Sequence, residues 1–162
     1  MLSKTEQYVV DNYNYAKKAG ETFKMDPLVI LAQGAHESAW GTSTLSKKYR
    51  NYFGITAGGK KNAYWDGSNV LGSKTYNLYF RVYKTPEDSF MDFARLIATN
   101  YAAAHAAAMN YKVYAEKIAA SPYISEKNGD NRLVYKNAII SIYEIINQIA
   151  KKKDLLSKPP QV

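Results

Sequence analysis

The sequence predicts an α+β fold, mainly helical, with one small β-hairpin lobe. Three observations carry this. Apolar residues recur at helical spacing in five segments, most of them opening on a capping residue. One stretch, residues 63–83, shifts toward a period of two and is rich in strand formers. The chain has 162 residues, 46% of them hydrophobic, which is the size of one domain with a real core. Residues 1–153 form that domain, and 154–162, with Pro159-Pro160, read as a flexible basic tail.

Ser3-Lys4-Thr5-Glu6 has the form of a capping box. A first helix should run to about Lys18, with Ala19-Gly20 as a place of interruption and Glu21 to Lys24 as a continuation. The second helix opens on Asp26, which caps, and Pro27, which suits the first helical position. Leu28, Leu31, Ala32 and Ala35 should face the core, and Gly41 is a natural stop. Residues 42–50 are polar and basic, a short helix plus a loop. Ala57-Gly58-Gly59-Lys60-Lys61 lacks the pattern of a phosphate loop and reads as a flexible turn.

In 63–83 the strand formers are Tyr64, Trp65, Val70, Tyr76, Leu78, Phe80, Val82 and Tyr83, with Asp66-Gly67-Ser68-Asn69 as the turn between two runs. Such a hairpin is too small to be a separate domain. Thr85 and Pro86 then start a core helix carrying Phe90, Phe93, Ala94, Ile97 and Tyr101, and 102–108 should extend it. His105 on that alanine-rich stretch reads as packing rather than catalysis. Residues 110–120 form a short helix with Tyr114, Ala115 and Ile118 inward. Residues 121–130 form a loop by composition. The last helix, about 131–151, should bury Leu133, Ala138, Ile139, Ile142, Ile145, Ile146 and Ile149.

Formal charge is +8, which attracts polyanions such as nucleic acid, anionic lipid or a bacterial wall. Fifteen tyrosines supply flat platforms with a polar tip, suited to sugar faces or unpaired bases. No apolar run approaches the ~20 residues of a membrane span. The N-terminus lacks the apolar core of a secretory signal. There is no cysteine, so disulfides are excluded.

The chemistry concentrates in Gln33-Gly34-Ala35-His36-Glu37-Ser38-Ala39-Trp40-Gly41-Thr42-Ser43, with Asn51-Tyr52-Phe53-Gly54-Ile55 beyond it. Glu37 falls in the last helical turn, where the dipole disfavours negative charge. Beside an apolar Trp its pKa should rise, as a general acid requires. From position alone a solvated surface Glu is an equal reading. His36-Glu37 begins like the zinc helix motif H-E-x-x-H, but Trp40 stands where the second His belongs, so no metal site is expected.

Ala32, Gln33, Glu37, Ser38, Trp40, Gly41 and Ser43, followed by Asn51, Phe53, Gly54 and Ile55, resemble the motif of glycoside hydrolase family 73. These are bacterial N-acetylglucosaminidases that cut peptidoglycan and have a lysozyme-like fold. Phe80, Arg81, Tyr83 and Thr85 resemble a further segment of that family. The resemblance implies that Glu37 is the general acid and that the hairpin walls the substrate groove. It also implies that Tyr123 faces the site, with Tyr135 a later-than-expected match to a second tyrosine. Trp40, Asn51, Phe53, Tyr64, Trp65 and Asn77 are then the candidate substrate-binding residues.

Glycoside hydrolysis normally uses two carboxyl groups. Asn77 stands where the family often carries a second Glu. Asp66 and Glu126 are substitute catalytic candidates; the substrate's own N-acetyl group is the third. Glu126 lies in a loop that could close on bound sugar and activate water. The expected partner is a peptidoglycan glycan strand, met in the cell wall or periplasm by a monomer. No cofactor, nucleic acid or membrane insertion is called for. Wall remodelling, phage lysis and toxicity between bacteria all use such domains. Export would use a holin, a dedicated machine or a leader absent from this sequence, and a toxin would require a neutralising immunity protein in the groove. The rival reading is a wall-binding module that has lost catalysis.

Overall fold

The structure is a computed structural model that describes residues 1–126 and 131–156. In chain order the elements are α1 (Lys4–Phe23), α2 (Pro27–Ser38), α3 (Thr44–Tyr49), β1 (Asn69–Ser73), β2 (Leu78–Arg81), α4 (Pro86–Asn100), α5 (Ala102–Ala106), α6 (Tyr111–Ala120) and α7 (Arg132–Lys152). Helix α2 is the centre. It packs against α1 and α7; α1 also packs on α4, and α6 on α7. Every residue from 28 to 35 is buried, as expected of a helix apolar on all sides. Asp26 caps it by accepting from the Leu28 amide at 2.9 Å, with Pro27 at the first position.

Helix α1 does not stop at Lys18 but runs through Gly20 to Phe23. The glycine is there for close approach: a Cβ would lie 2.4 Å from the Met25 carbonyl oxygen. It lets the chain turn sharply from α1 into α2. The helix after Thr85 also differs from expectation. It breaks at Tyr101, whose backbone leaves the helical region, and α5 is a separate short turn. His105 there bonds through Nε2 to the Phe23 carbonyl at 2.6 Å, tying α5 to the end of α1.

The two strands pair antiparallel, Val70 opposite Phe80. The hairpin turn is 74–77, not 66–69. Asp66-Gly67-Ser68 leads into β1, and Asp66 Oδ1 there accepts from the Ser68 amide at 2.9 Å. Both strands therefore come from the second apolar run, which the turn at 74–77 divides, and Tyr76 is exposed in that turn rather than in a strand. The register slips at Gly72, where a Cβ would strike the Phe80 ring.

Asp92, fully buried on α4, fastens the lobe to the helices. It accepts from Arg81 Nη1 at 2.7 Å, Arg95 Nε at 2.9 Å, Asn62 Nδ2 at 3.0 Å and the Tyr83 hydroxyl. Burial, then the Asp92 charge, pushes the Tyr83 hydroxyl far above its ordinary range, so it stays a donor.

In α7 the buried face runs through Tyr135, Ile139, Ile146 and Ile149. Leu133 and Ile145 are exposed, against expectation, because Tyr135 takes the inward place in the first turn and rotates the stripe. The proposed tail is docked at its start: the Leu155 amide bonds to the Ala150 carbonyl at 2.9 Å, and Leu155 packs on the core. Residues 157–162 lie outside the described residues.

Candidate active site

Glu37 is delivered by the abrupt end of α2. The Ser38 hydroxyl donates to the Gly34 carbonyl at 2.6 Å and accepts from the Gly41 amide at 2.8 Å. Ala39, Trp40 and Gly41 then adopt φ of 49°, 58° and 74°, three left-handed residues in a row. Two are not glycine and each is strained by about 1–2 kcal/mol. This run ends the helix at Ser38 and leaves Glu37 half-buried in its last turn.

The opposite wall is built by Asn51. Its Nδ2 donates to the carbonyls of Ile55 and Arg81, both at 3.0 Å, and its Oδ1 accepts from the amides of Phe53 and Ile55, both at 3.2 Å. That folds 51–55 into a tight loop with Gly54 at φ 65°. A Cβ on Gly54 would lie 3.8 Å from Glu37 Oε2, so this loop faces the carboxyl group directly. Phe53, beneath it, stacks on Phe93 with ring centres 4.0 Å apart.

The third side comes from the far end of the chain. The Tyr135 hydroxyl donates to Glu37 Oε1 at 3.1 Å, and the His36 ring meets the Tyr135 ring edge-on at 5.0 Å. Tyr123 sits on a turn after α6, which Arg132 pins by donating to the carbonyls of Ala119 (2.6 Å) and Ser121 (2.8 Å). Burial, the nearby phenols and the Glu37 charge push the Tyr135 hydroxyl well above its ordinary range. Burial, followed by Glu37, does the same to Tyr123. Both phenols therefore stay protonated donors at any working pH.

Together these residues enclose a cleft of about 330 Å³, with Glu37, Phe53, Gly54, Tyr101, Tyr123 and Tyr135 on its walls. Among the described residues Glu37 is the only carboxylate lining it. Of the candidates read from the sequence, Glu37, Phe53 and Tyr123 meet here.

The others do not join them. Trp40 is turned by the left-handed run to pack edge-on against Tyr8, in a separate hollow shared with Tyr52. Asn51 is buried and builds the loop instead of facing substrate. Trp65 is lobe core, with the Arg81 guanidinium 4.0 Å above its ring and its Nε1 donating to the Ser68 carbonyl at 2.8 Å. Tyr64 packs edge-on against Phe23. Asp66 lines a hollow with Tyr64 and Trp65, and lies 3.7 Å from Lys84 Nζ. Asn77 is exposed at the hairpin turn with φ 50°. Glu126 is exposed and pairs with Arg132 Nε at 3.3 Å.

Gln33, matched within the motif but given no role from the sequence, is fully buried and accepts from the Tyr114 hydroxyl. A Gln four residues before Glu37, inside an apolar helix, was the available signal. Tyr101 was read as core and instead lines the cleft where α4 ends.

A family model described as glucosaminidase, mannosyl-glycoprotein endo-beta-N-acetylglucosaminidase, matches residues 13–148. The chain belongs to this family. The peptidoglycan hydrolase FlgJ of Pseudomonas aeruginosa is 27% identical over 113 residues, covering 62% of this chain. The chain spans only 27% of that relative's length. A peptidoglycan hydrolase from Sphingomonas sp. A1 shares the fold at TM-score 0.73 and 21% identity, covering 96% of this chain and 99% of that one. A chain of a type VI secretion system effector–immunity complex from Pseudomonas protegens shares it at TM-score 0.65 and 16% identity, covering 89% and 94%. The helical body with a hairpin lobe expected from the sequence is thus a fold shared with a solved peptidoglycan hydrolase.

Proposed function

We propose that this domain hydrolyses the β-1,4 bond between N-acetylglucosamine and N-acetylmuramic acid in peptidoglycan, with Glu37 as the general acid. The observation that carries it is the Glu37 carboxyl group, held by Tyr135 and facing Gly54 in an aromatic cleft. Glu37 gives its proton to the leaving oxygen as the glycosidic bond breaks.

The acetamido oxygen of the substrate supplies the second group. It attacks the anomeric carbon and forms an oxazoline; water, deprotonated by the Glu37 carboxylate, then opens that ring. The absence of a second carboxylate on the cleft wall, among the described residues, supports this route. Tyr123 orients the acetamido group by donating a hydrogen bond, while the Tyr135 hydroxyl stays with Glu37. Water activation by Glu126 is the second reading, favoured by its place three residues beyond Tyr123.

Such an enzyme acts in the cell wall or periplasm. Likeness to a chain of an effector–immunity complex supports use as a secreted toxin, and then a neutralising partner seated in the cleft. The test is release of reducing sugar from purified peptidoglycan. Glu37→Gln should lower the rate by ~10²–10⁴-fold with an unchanged circular dichroism spectrum. Binding to the wall without any release of reducing ends would favour a module that binds but does not cut.

A further inference from the structure

The catalytic cleft does not end at Tyr101. A second hollow of about 420 Å³ shares Ile55, Thr56, Leu96 and Tyr101 with it, so the two form one continuous groove. Their chemistry differs. The second arm is lined by Lys60, Lys61, Arg81 and Arg95, and by no carboxylate among the described residues. Asp92 behind it holds both arginines and cancels one charge, which leaves a net of three positive charges on this arm.

The arm is built, not incidental. Gly58-Gly59, read from composition as a flexible turn, is fastened: Arg81 Nη2 donates to the Gly58 carbonyl at 2.6 Å and Nε to the Thr56 carbonyl at 3.2 Å. Gly59 takes φ 81°, which a side chain would resist. The turn therefore presents Lys60 and Lys61 at a fixed place on the groove. Both are exposed, and neither makes an ion pair among the described residues.

A neutral sugar has no use for three positive charges. A glycan strand of the wall carries short peptides on alternate sugars, and those peptides end and branch in free carboxylates. Cations lining a groove beside low-dielectric walls focus attraction on such groups. We propose that the arm bearing Lys60 and Lys61 is a subsite for the stem-peptide carboxylates of the substrate, so that the domain prefers peptide-bearing strands to bare glycan. This rests on the peptidoglycan reading above. The carboxylate lies against the two lysines and Arg95, while the sugar carrying it sits across Tyr101 toward Glu37.

Binding tests this independently of cleavage. In a Glu37→Gln background, titration calorimetry measures affinity for soluble glycan strands with their stem peptides and for the same strands stripped of them by an amidase. Peptide-bearing strands should bind more tightly. The Lys60→Ala/Lys61→Ala pair should weaken them by ~3- to 10-fold and leave bare strands within twofold. The difference should shrink as salt is raised. Equal affinity for the two strands, or an equal loss on both, would overturn the proposal. So would tighter binding of a polyglycerol phosphate chain than of the peptide-bearing strand, which would assign the arm to phosphate. Failure of the wild-type chain to release reducing ends would count against the hydrolase reading alone, and the binding comparison would still decide the subsite.

Discussion

Removing the charge of Asp92 should be among the costliest single changes outside the cleft. The carboxylate is fully buried, and its strongest partner, the Arg81 side chain, is only 6% exposed. Asp92→Asn keeps the shape but leaves Arg81 buried without a counter-charge. Breaking one member of a buried pair costs about 3–5 kcal/mol. Arg81 keeps its bonds to the Thr56 and Gly58 carbonyls, so the lower end, about 3 kcal/mol, applies. In a chain of this size each kcal/mol moves the melting temperature by ~2–4 °C, which gives a fall of ~6–12 °C. Urea unfolding at constant slope, together with thermal circular dichroism, measures it. The pair itself is isolated by a cycle: Arg81→Met should cost less in the Asp92→Asn background than in the wild type, by ~0.5–3 kcal/mol. A loss under 1 kcal/mol for Asp92→Asn, or strictly additive single changes, would refute the claim that this ion pair holds the lobe.

Tyr135→Phe removes the donor to Glu37 Oε1, a hydrogen bond to a charged group worth about 1.5–3 kcal/mol, so turnover should fall by ~10- to 100-fold while the fold persists; an unchanged rate would free Tyr135 of any role in placing the acid. The backbone and side chain of Ser3, then Lys153 and Lys152, pull the Glu6 carboxyl down to about 2. A lowered folded pKa stabilises above the unfolded value near 4.3 and is lost as pH falls toward 2. The gap in urea midpoint between wild type and Glu6→Gln should therefore be full at pH 6 and close between pH 4.5 and 2; a gap independent of pH would sink the linkage. Proton NMR of freshly released sugar should show the β anomer first, as the acetamido route requires, with Asp66→Asn and Glu126→Gln fully active; first-formed α product would restore water activation.

What the sequence disclosed was local. Asp26-Pro27, Thr85-Pro86 and the Ser3–Glu6 box announce helix starts because a cap bonds its own first turn, and all three do so here. Glu37 was legible because its motif is contiguous. Direction was not. Whether Trp40 faces the cleft depends on three left-handed residues that no periodicity encodes. Trp65 looks like a sugar platform until Arg81 is found above it, sixteen residues along the chain. Asp92 was invisible as a single acid on an apolar helix, since its partners lie as far as thirty residues back in the sequence.

The walls of the groove are fastened in a particular way. Asn51 holds the carbonyls of Ile55 and Arg81; Arg50 holds that of Tyr83; Arg81 holds those of Thr56 and Gly58; Arg132 holds those of Ala119 and Ser121. In each of these bonds an amide or guanidinium grips main chain; Arg132 in addition pairs with the exposed Glu126 side chain. Every residue type offers the same carbonyl. The rim side chains, Lys60 and Lys61 on one side and Pro122 and Ser125 on the other, are therefore not needed to keep the walls in place. Glu37 stands apart from both rims in the last turn of the central helix, one turn beyond the fully buried stretch 28–35. Glu37 and the lysine arm are mechanically separate. Charge can be added to or removed from the lysine arm without moving Glu37.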